Sequence, residues 1–413
     1  MFDGTDRIRP GRLRRVVIVS HSNSLYGASR SLLELVHSLH SMGLEVAVVL
    51  PQGGELEKKL RQYQCQIWNM PLPAWIHPSG ADTTLLPTQD EFATVADHIG
   101  RKLKAWGADL LWTNSSITPV GALAAKSLGI PHIWHLRELN GKEYGYEFSV
   151  GEVTAVELIR SANYRVAVSR TVKAYYENLG CGYCDWIYNG IGPVARLEMR
   201  QASMRSGGVS RLVIVGRVTE EKGQLTAIEA VSKLRIGGYP IMLRVVGGGD
   251  IESCRKLANS LGTNGCVEFA GFQEDVDEHY RWANIALSCA SIEAMGRSTA
   301  EAMSWGLPIA GHCGAGTGEL VSDAKAGLLY DGSVDHLARV VAALIDEPAS
   351  AGSMGEAGQR WARTHVNSER HASQILEIVR ALSKATATAD SENVMHPKAG
   401  INNVVSTPIT VTE

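Results

Sequence analysis

The chain has 413 residues, 45% hydrophobic and 20% charged, which is long enough for two to three globular domains and too apolar for a disordered chain. Forty basic against 43 acidic residues leave a net charge of −3, which argues against nucleic acid as a partner. No run approaches the roughly 18 apolar residues of a membrane span, and the charged start MFDGTDRIRPGRLRR has no apolar stretch of a secretory signal.

Strands are predicted from short apolar runs at 16–20, 46–50, 110–113, 132–136 and 165–168, and helices from apolar spacing at 29–42, 55–64, 92–106 and 119–128. Gly43, Gly107 and Gly129 follow three of these helices, as left-handed caps would. Strands apolar throughout and separated by helices predict a parallel sheet covered on both faces. Cys181-x-x-Cys184 lacks the second pair of a zinc ribbon, and seven sparse cysteines fit a reducing cytoplasm. Turn signals follow at Asn189-Gly190 and Gly192-Pro193, and the polar stretch 199–210 reads as a linker. The pattern then restarts, with strands predicted at 212–216, 242–246, 267–269, 285–288, 308–310 and 328–330 and helices at 223–235, 251–261 and 299–305. Helical spacing returns over 356–382, and the composition of 384–413 predicts a disordered tail. The expected fold is therefore α/β, with doubly wound domains at 1–195 and 209–366 and a helix at about 367–383 returning to the first. A cleft lies between the carboxyl ends of their strands.

Several catalytic signatures are missing, among them G-x-x-x-x-G-K-[ST], G-x-S-x-G and H-E-x-x-H. Gly247-Gly248-Gly249 follows a strand but has the wrong spacing for a dinucleotide fingerprint. The most specific segment runs from Ser291 to Pro308. Gly296 permits a tight turn, Ser298 can open a helix, and the free N–H groups from Arg297 onward would face an anion. Glu293 in the preceding loop and Glu301 in the first turn can accept hydrogen bonds from vicinal hydroxyls. The competing reading makes Ser298-x-x-Glu301 a capping box and Glu293 an exposed loop charge. A second segment, Gly216-Arg-Val-Thr-Glu-Glu-Lys-Gly223, offers Arg217 as a fork and Lys222 as a point charge for a diphosphate. Its competing reading pairs Lys222 with Glu220 or Glu221.

Together the two segments resemble the family 4 glycosyltransferases, the retaining group-1 type with a GT-B fold of two Rossmann-like domains facing a central cleft. The resemblance spans about 16–382 and includes Phe269-Ala-Gly-Phe272, Asn189-Gly-Ile191, Val168-Ser169 and the loop Gly316-Thr-Gly-Glu319. It implies that Arg217 and Lys222 hold the nucleotide diphosphate, that Glu301 binds the ribose, and that Glu293 contacts the donor sugar. His135, in Ile133-Trp-His-Leu-Arg-Glu138, matches the family's histidine near that sugar. His132 lies three residues earlier on the same strand and points to the other face, so the two do not form a metal pair. The loop before Gly27 resembles the family's glycine turn at the donor phosphate, with Tyr26 and Ser29 in place of Gly and Glu. The implied activity is transfer of a hexose-type sugar from a nucleotide diphosphate sugar to a glycan, lipid-linked or small-molecule acceptor, with retention and without metal or cofactor. Polysaccharide synthesis is one such setting. The basic run Arg7, Arg9, Arg12, Arg14 and Arg15 is a candidate contact for anionic lipid at the inner membrane face. Two other readings are a GT-B nucleotide-sugar epimerase and an inactive GT-B partner subunit.

Overall fold

A computed structural model describes residues 13–25, 27–202 and 208–389. The first domain carries β1 (Arg15–Val19), β2 (Glu45–Leu50), β3 (Gln66–Asn69), β4 (Ile76–Pro78), β5 (Leu110–Thr113), β6 (His132–Leu136), β7 (Tyr146–Phe148), β8 (Tyr164–Ala167) and β9 (Asp185–Trp186). Its helices are α1 (Gly27–Ser41), α2 (Glu55–Gln62), α3 (Gln89–Trp106), α4 (Val120–Leu128), α5 (Glu152–Arg160), α6 (Arg170–Asn178) and α7 (Val194–Glu198). The second domain carries β10 (Ser210–Val215), β11 (Ile241–Val246), β12 (Val267–Gly271), β13 (Ile285–Ser288), β14 (Ile309–His312) and β15 (Gly327–Tyr330). Its helices are α8 (Gln224–Ile236), α9 (Ile251–Ser260), α10 (Asp277–Trp282), α11 (Arg297–Ser304), α12 (Ala315–Ala324), α13 (Val334–Asp346) and α14 (Pro348–His365), and α15 (Ser368–Ala389) ends the described chain.

The first sheet has the order β3-β2-β1-β5-β6-β8-β9 and the second β12-β11-β10-β13-β14-β15, with every pairing parallel. Each sheet starts at its centre, runs outward one way, then reverses, so its switch point lies between β1 and β5 or between β10 and β13. The period of two sorts each buried strand into two cores. Val17, Val19, Ala47 and Val49 face one helical layer, while Val16, Ile18, Val46 and Val48 face the other. That second core also contains Ile375, Leu376, Ile378, Val379 and Leu382 of α15, so the last described helix packs on the first domain.

The chain crosses between domains twice, side by side. Ile191 N donates to Val366 O at 2.9 Å, and Ser368 N donates to Gly192 O at 2.9 Å. This crossing divides the helical spacing of 356–382 into α14 and α15. The break falls where the chain changes domains, at Val366 and Asn367, next to the start expected for the helix at about 367–383. Residues 384–389, expected in a disordered tail, continue α15, and residues 390–413 lie outside the described residues. Arg7, Arg9, Arg12 and linker residues 203–207 do too. Arg15 is engaged within the domain, donating to Glu45 Oε2 at 3.1 Å and to Trp106 O at 2.8 Å.

Candidate active site

Both switch points open onto one pocket between the domains. The first domain supplies Leu25, Gly27 and Arg30. The loop after β10 supplies Gly216, Arg217 and Lys222, and the loop after β12 supplies Phe272 and Gln273. The segment after β13 adds Glu293, Arg297, Ser298 and Glu301. Gly27 is the first residue of α1, so the positive end of a 15-residue helix stands at the pocket. A Cβ at Gly27 would meet nothing within 4 Å.

The loops after β10 and β11 touch through glycine. Gly247 has φ +153°, and a Cβ there would lie 1.8 Å from Gly216 O. At Gly249 a Cβ would lie 2.2 Å from Val218 O. The glycine triplet therefore serves close backbone approach, which explains why it lacks the dinucleotide spacing. Gln224 Nε2 donates to Arg217 O at 3.1 Å and ties the cationic loop to α8.

The two sequence segments meet directly. Lys222 Nζ lies 2.6 Å from Glu293 Oε2. This corrects the alternative that paired Lys222 with Glu220 or Glu221. The Glu293 carboxylate raises the Lys222 pKa more than burial lowers it, so the ammonium stays charged. Gly296 caps α11 in the left-handed region, with φ 88°, and is not itself in the pocket lining. The capping box does not form, because the helix starts one residue before Ser298. Glu301 sits beyond the first turn, where Arg297 Nε donates to its Oε1 at 2.9 Å. Tyr280 OH reaches the other oxygen at 3.4 Å. Arg297 also donates through Nη1 to Gly190 O at 2.9 Å, across the domain boundary.

Four cationic side chains, Arg30, Arg217, Lys222 and Arg297, thus face two carboxylates in one pocket. The surplus is positive, which suits a diphosphate flanked by hydroxyl-bearing groups. Among the described residues no group of three or more His, Cys, Asp or Glu is arranged to hold a metal ion.

His135 is not in the lining of this pocket. It is fully buried, and its Nδ1 lies 3.1 Å from Arg137 Nη2. A guanidinium only donates, so Nδ1 accepts and the proton resides on Nε2. Nε2 has no hydrogen-bond partner among the described residues. Burial, Arg137 and His371 together hold the His135 pKa well below its usual value. Arg30, Phe272 and Gln273 were not read from sequence as pocket residues. Arg30 lies one turn after Gly27 on the same helix face, a spacing that could have revealed it. Phe272 and Gln273 follow an adjacent strand, and only sheet order brings them here.

Two Rossmann-like domains around a shared cationic cleft define the GT-B class of protein. Residues 196–361 match the family model described as glycosyl transferases group 1, and residues 26–183 match the glycosyl transferase 4-like domain. The chain belongs to the group 1 glycosyltransferases. It is 31% identical over 199 residues to the GDP-mannose-dependent alpha-(1-6)-phosphatidylinositol monomannoside mannosyltransferase of Mycobacterium tuberculosis, covering 46% of this chain and 51% of that protein. The chain thus spans about half the length of that relative. The 2-deoxystreptamine glucosyltransferase of Streptomyces kanamyceticus is 27% identical over 285 residues, 62% of this chain and 73% of that protein. Among solved structures, Anabaena Alr3699/HepE in complex with UDP-glucose shares the fold with TM-score 0.72 at 20% identity, covering 89% of this chain and 99% of that one.

Proposed function

We propose that this chain is an active, retaining glycosyltransferase that moves a hexose-type sugar from a nucleoside diphosphate to an acceptor hydroxyl, without a metal ion. The observation that carries the reading is the single pocket in which Arg217 and Lys222 meet the start of α1 and the Glu293–Glu301 segment. As the sugar bond breaks, negative charge grows on the departing diphosphate, and preorganised cations and helix N–H groups stabilise it. Glu293 is bound to Lys222 and Glu301 to Arg297, which disfavours either carboxylate as a free nucleophile. Front-side displacement fits better, with the departing phosphate taking the acceptor proton. Family membership supports the donor class. The Anabaena structure is a complex with UDP-glucose, and the mycobacterial relative is named as GDP-mannose-dependent.

The test is a panel of nucleotide diphosphate sugars assayed for donor hydrolysis in excess EDTA, followed by NMR of the anomeric configuration of the glycoside formed. Turnover in EDTA with a retained anomer is expected. Loss in EDTA restored by Mg²⁺ or Mn²⁺, or an inverted anomer, would overturn the mechanism. An epimerised sugar formed from donor alone would favour the epimerase, and absence of turnover with every donor an inactive partner subunit.

A further inference from the structure

Two stretches within the family resemblance line no part of the donor pocket, Val168-Ser169 before α6 and Gly316-Thr-Gly-Glu319 in α12. They meet across the domain boundary. The first N–H groups of a helix have no partner within it. In α6 the preceding Ser169 accepts from Val172 N through Oγ at 3.1 Å. The two N–H groups ahead of Val172 are taken by the other domain. Arg170 N donates to Glu319 Oε1 at 3.0 Å and Thr171 N to Glu319 Oε2 at 2.7 Å. Thr171 Oγ1 and Tyr188 OH donate to the same carboxylate. The Glu319 side chain is 6% exposed. A buried carboxylate is tolerated when hydrogen bonds fill its lone pairs, and these donors all come from the first domain.

We propose that Glu319 is a positioning residue for the transfer reaction: it sets the angle between the domains and so keeps Glu293 and Lys222 in register with the start of α1. The inference rests on the transferase reading above. Apolar contact is non-directional and lets surfaces slide. Bonds from two successive N–H groups to the two oxygens of one carboxylate instead fix an orientation. The contact stands beside the domain crossing, because Tyr188 lies just before Ile191. It also reaches the site by a short path. On the same helix as Glu319, Gly316 N donates to Glu293 O at 2.7 Å, and a Cβ at Gly316 would lie 2.6 Å from Met295 Cα. From the first domain, Ser169 Oγ donates to Ala294 O at 2.5 Å. The segment 293–295 is thus clamped between α12 and the start of α6, and its Glu293 carboxylate holds Lys222. A swing of the first domain would carry the start of α1 away from Lys222 and Glu293, which the reaction needs on one ligand.

The experiment compares the full chain with its Glu319→Gln and Tyr188→Phe variants, below the melting temperature of each. Hydrolysis of UDP-glucose, GDP-mannose and the rest of the donor panel gives kcat and KM. Misplacing reacting groups by an ångström costs up to about a hundredfold in rate, so kcat should fall toward that limit in Glu319→Gln and less in Tyr188→Phe. Donor KM should change by less than about threefold, because Arg217 and Lys222 are left in place. Small-angle scattering without ligand should give both variants a larger radius of gyration than the parent. Unchanged kcat with only a lower melting temperature would make Glu319 a structural cap and overturn the proposal. So would a rise in KM at constant kcat, or scattering that superposes on the parent's. If Glu319→Gln does not fold, Tyr188→Phe, which removes one hydrogen bond and no charge, carries both measurements. A parent that hydrolyses no donor would sink the transferase reading, and the scattering would still decide whether Glu319 sets the domain angle.

Discussion

Lys222 and Glu293 are 71 residues apart and meet at 2.6 Å, so each motif completes the other. Removing one preorganised charge partner of a developing anion costs about 3 kcal/mol, roughly a hundredfold in rate. Arg217→Ala and Lys222→Ala should each lower kcat/KM by about that factor on the true substrates. The double variant should lose less than the product of the two, since both act on one diphosphate. Glu301 is a more divided case. Its carboxylate neutralises Arg297 in a setting where both side chains are mostly buried. Glu301→Gln should therefore lower the melting temperature, by about 1–3 kcal/mol of stability. If Glu301 also holds the ribose, the same change should weaken a nucleoside diphosphate about tenfold and leave its 2′,3′-dideoxy analogue unaffected. Equal effects on the two ligands would assign Glu301 to Arg297 alone.

Between elements, glycine sets how closely the site loops approach. At Gly247 the backbone of one loop lies against Gly216 O of the next, and any side chain would force β10 and β11 apart. Gly247→Ala should cost about 3–4 kcal/mol and displace Arg217, so both melting temperature and kcat/KM should fall. Gly27 is the contrasting case, with open space where a Cβ would stand and a helical setting that favours alanine. Gly27→Ala should leave the melting temperature unchanged or slightly raised while weakening nucleotide binding. A fall in stability at Gly27 without a change in affinity would remove that helix start from the donor site.

At the scale of the whole molecule, three buried histidines link stability to pH. Burial lowers the pKa of His132 and of His371 to about 3, and that of His135 well below its usual value. The unfolded chain protonates each near the ordinary value of about 6.5, so it binds more protons than the folded chain below that pH. Their stabilising contribution is complete above about pH 6.5 and is lost as pH falls toward 3. The slope is about 1.4 kcal/mol per pH unit for each group. Melting temperatures by calorimetry should drop between pH 7 and pH 5. His371 has neither ring nitrogen partnered among the described residues, and His371→Leu should make the drop shallower. A flat profile in the parent would mean that these histidines are not held neutral.

The sheets were legible because their cause is local. Apolar runs such as 16–20 and 46–50, broken by helices ending at Gly43, Gly107 and Gly129, carry the parallel architecture in their periods and caps. The edge strands Gln66–Asn69 and Asp185–Trp186 escaped notice because they are short and carry polar residues, and a strand paired on one side needs no apolar run. Motif spacing likewise marked Arg217, Lys222, Glu293 and Glu301 as candidates, since a loop that cradles an anion needs its glycines and charges at fixed local offsets. What pairs with what was decided only by the tertiary structure. Glu293 as the partner of Lys222, Arg297 on Gly190 O, Arg30 in the pocket and His135 outside its lining all depend on how strand order and two domain crossings juxtapose distant loops. No local propensity encodes that, because the energy of such contacts exists only once both sheets and the joint between them have formed.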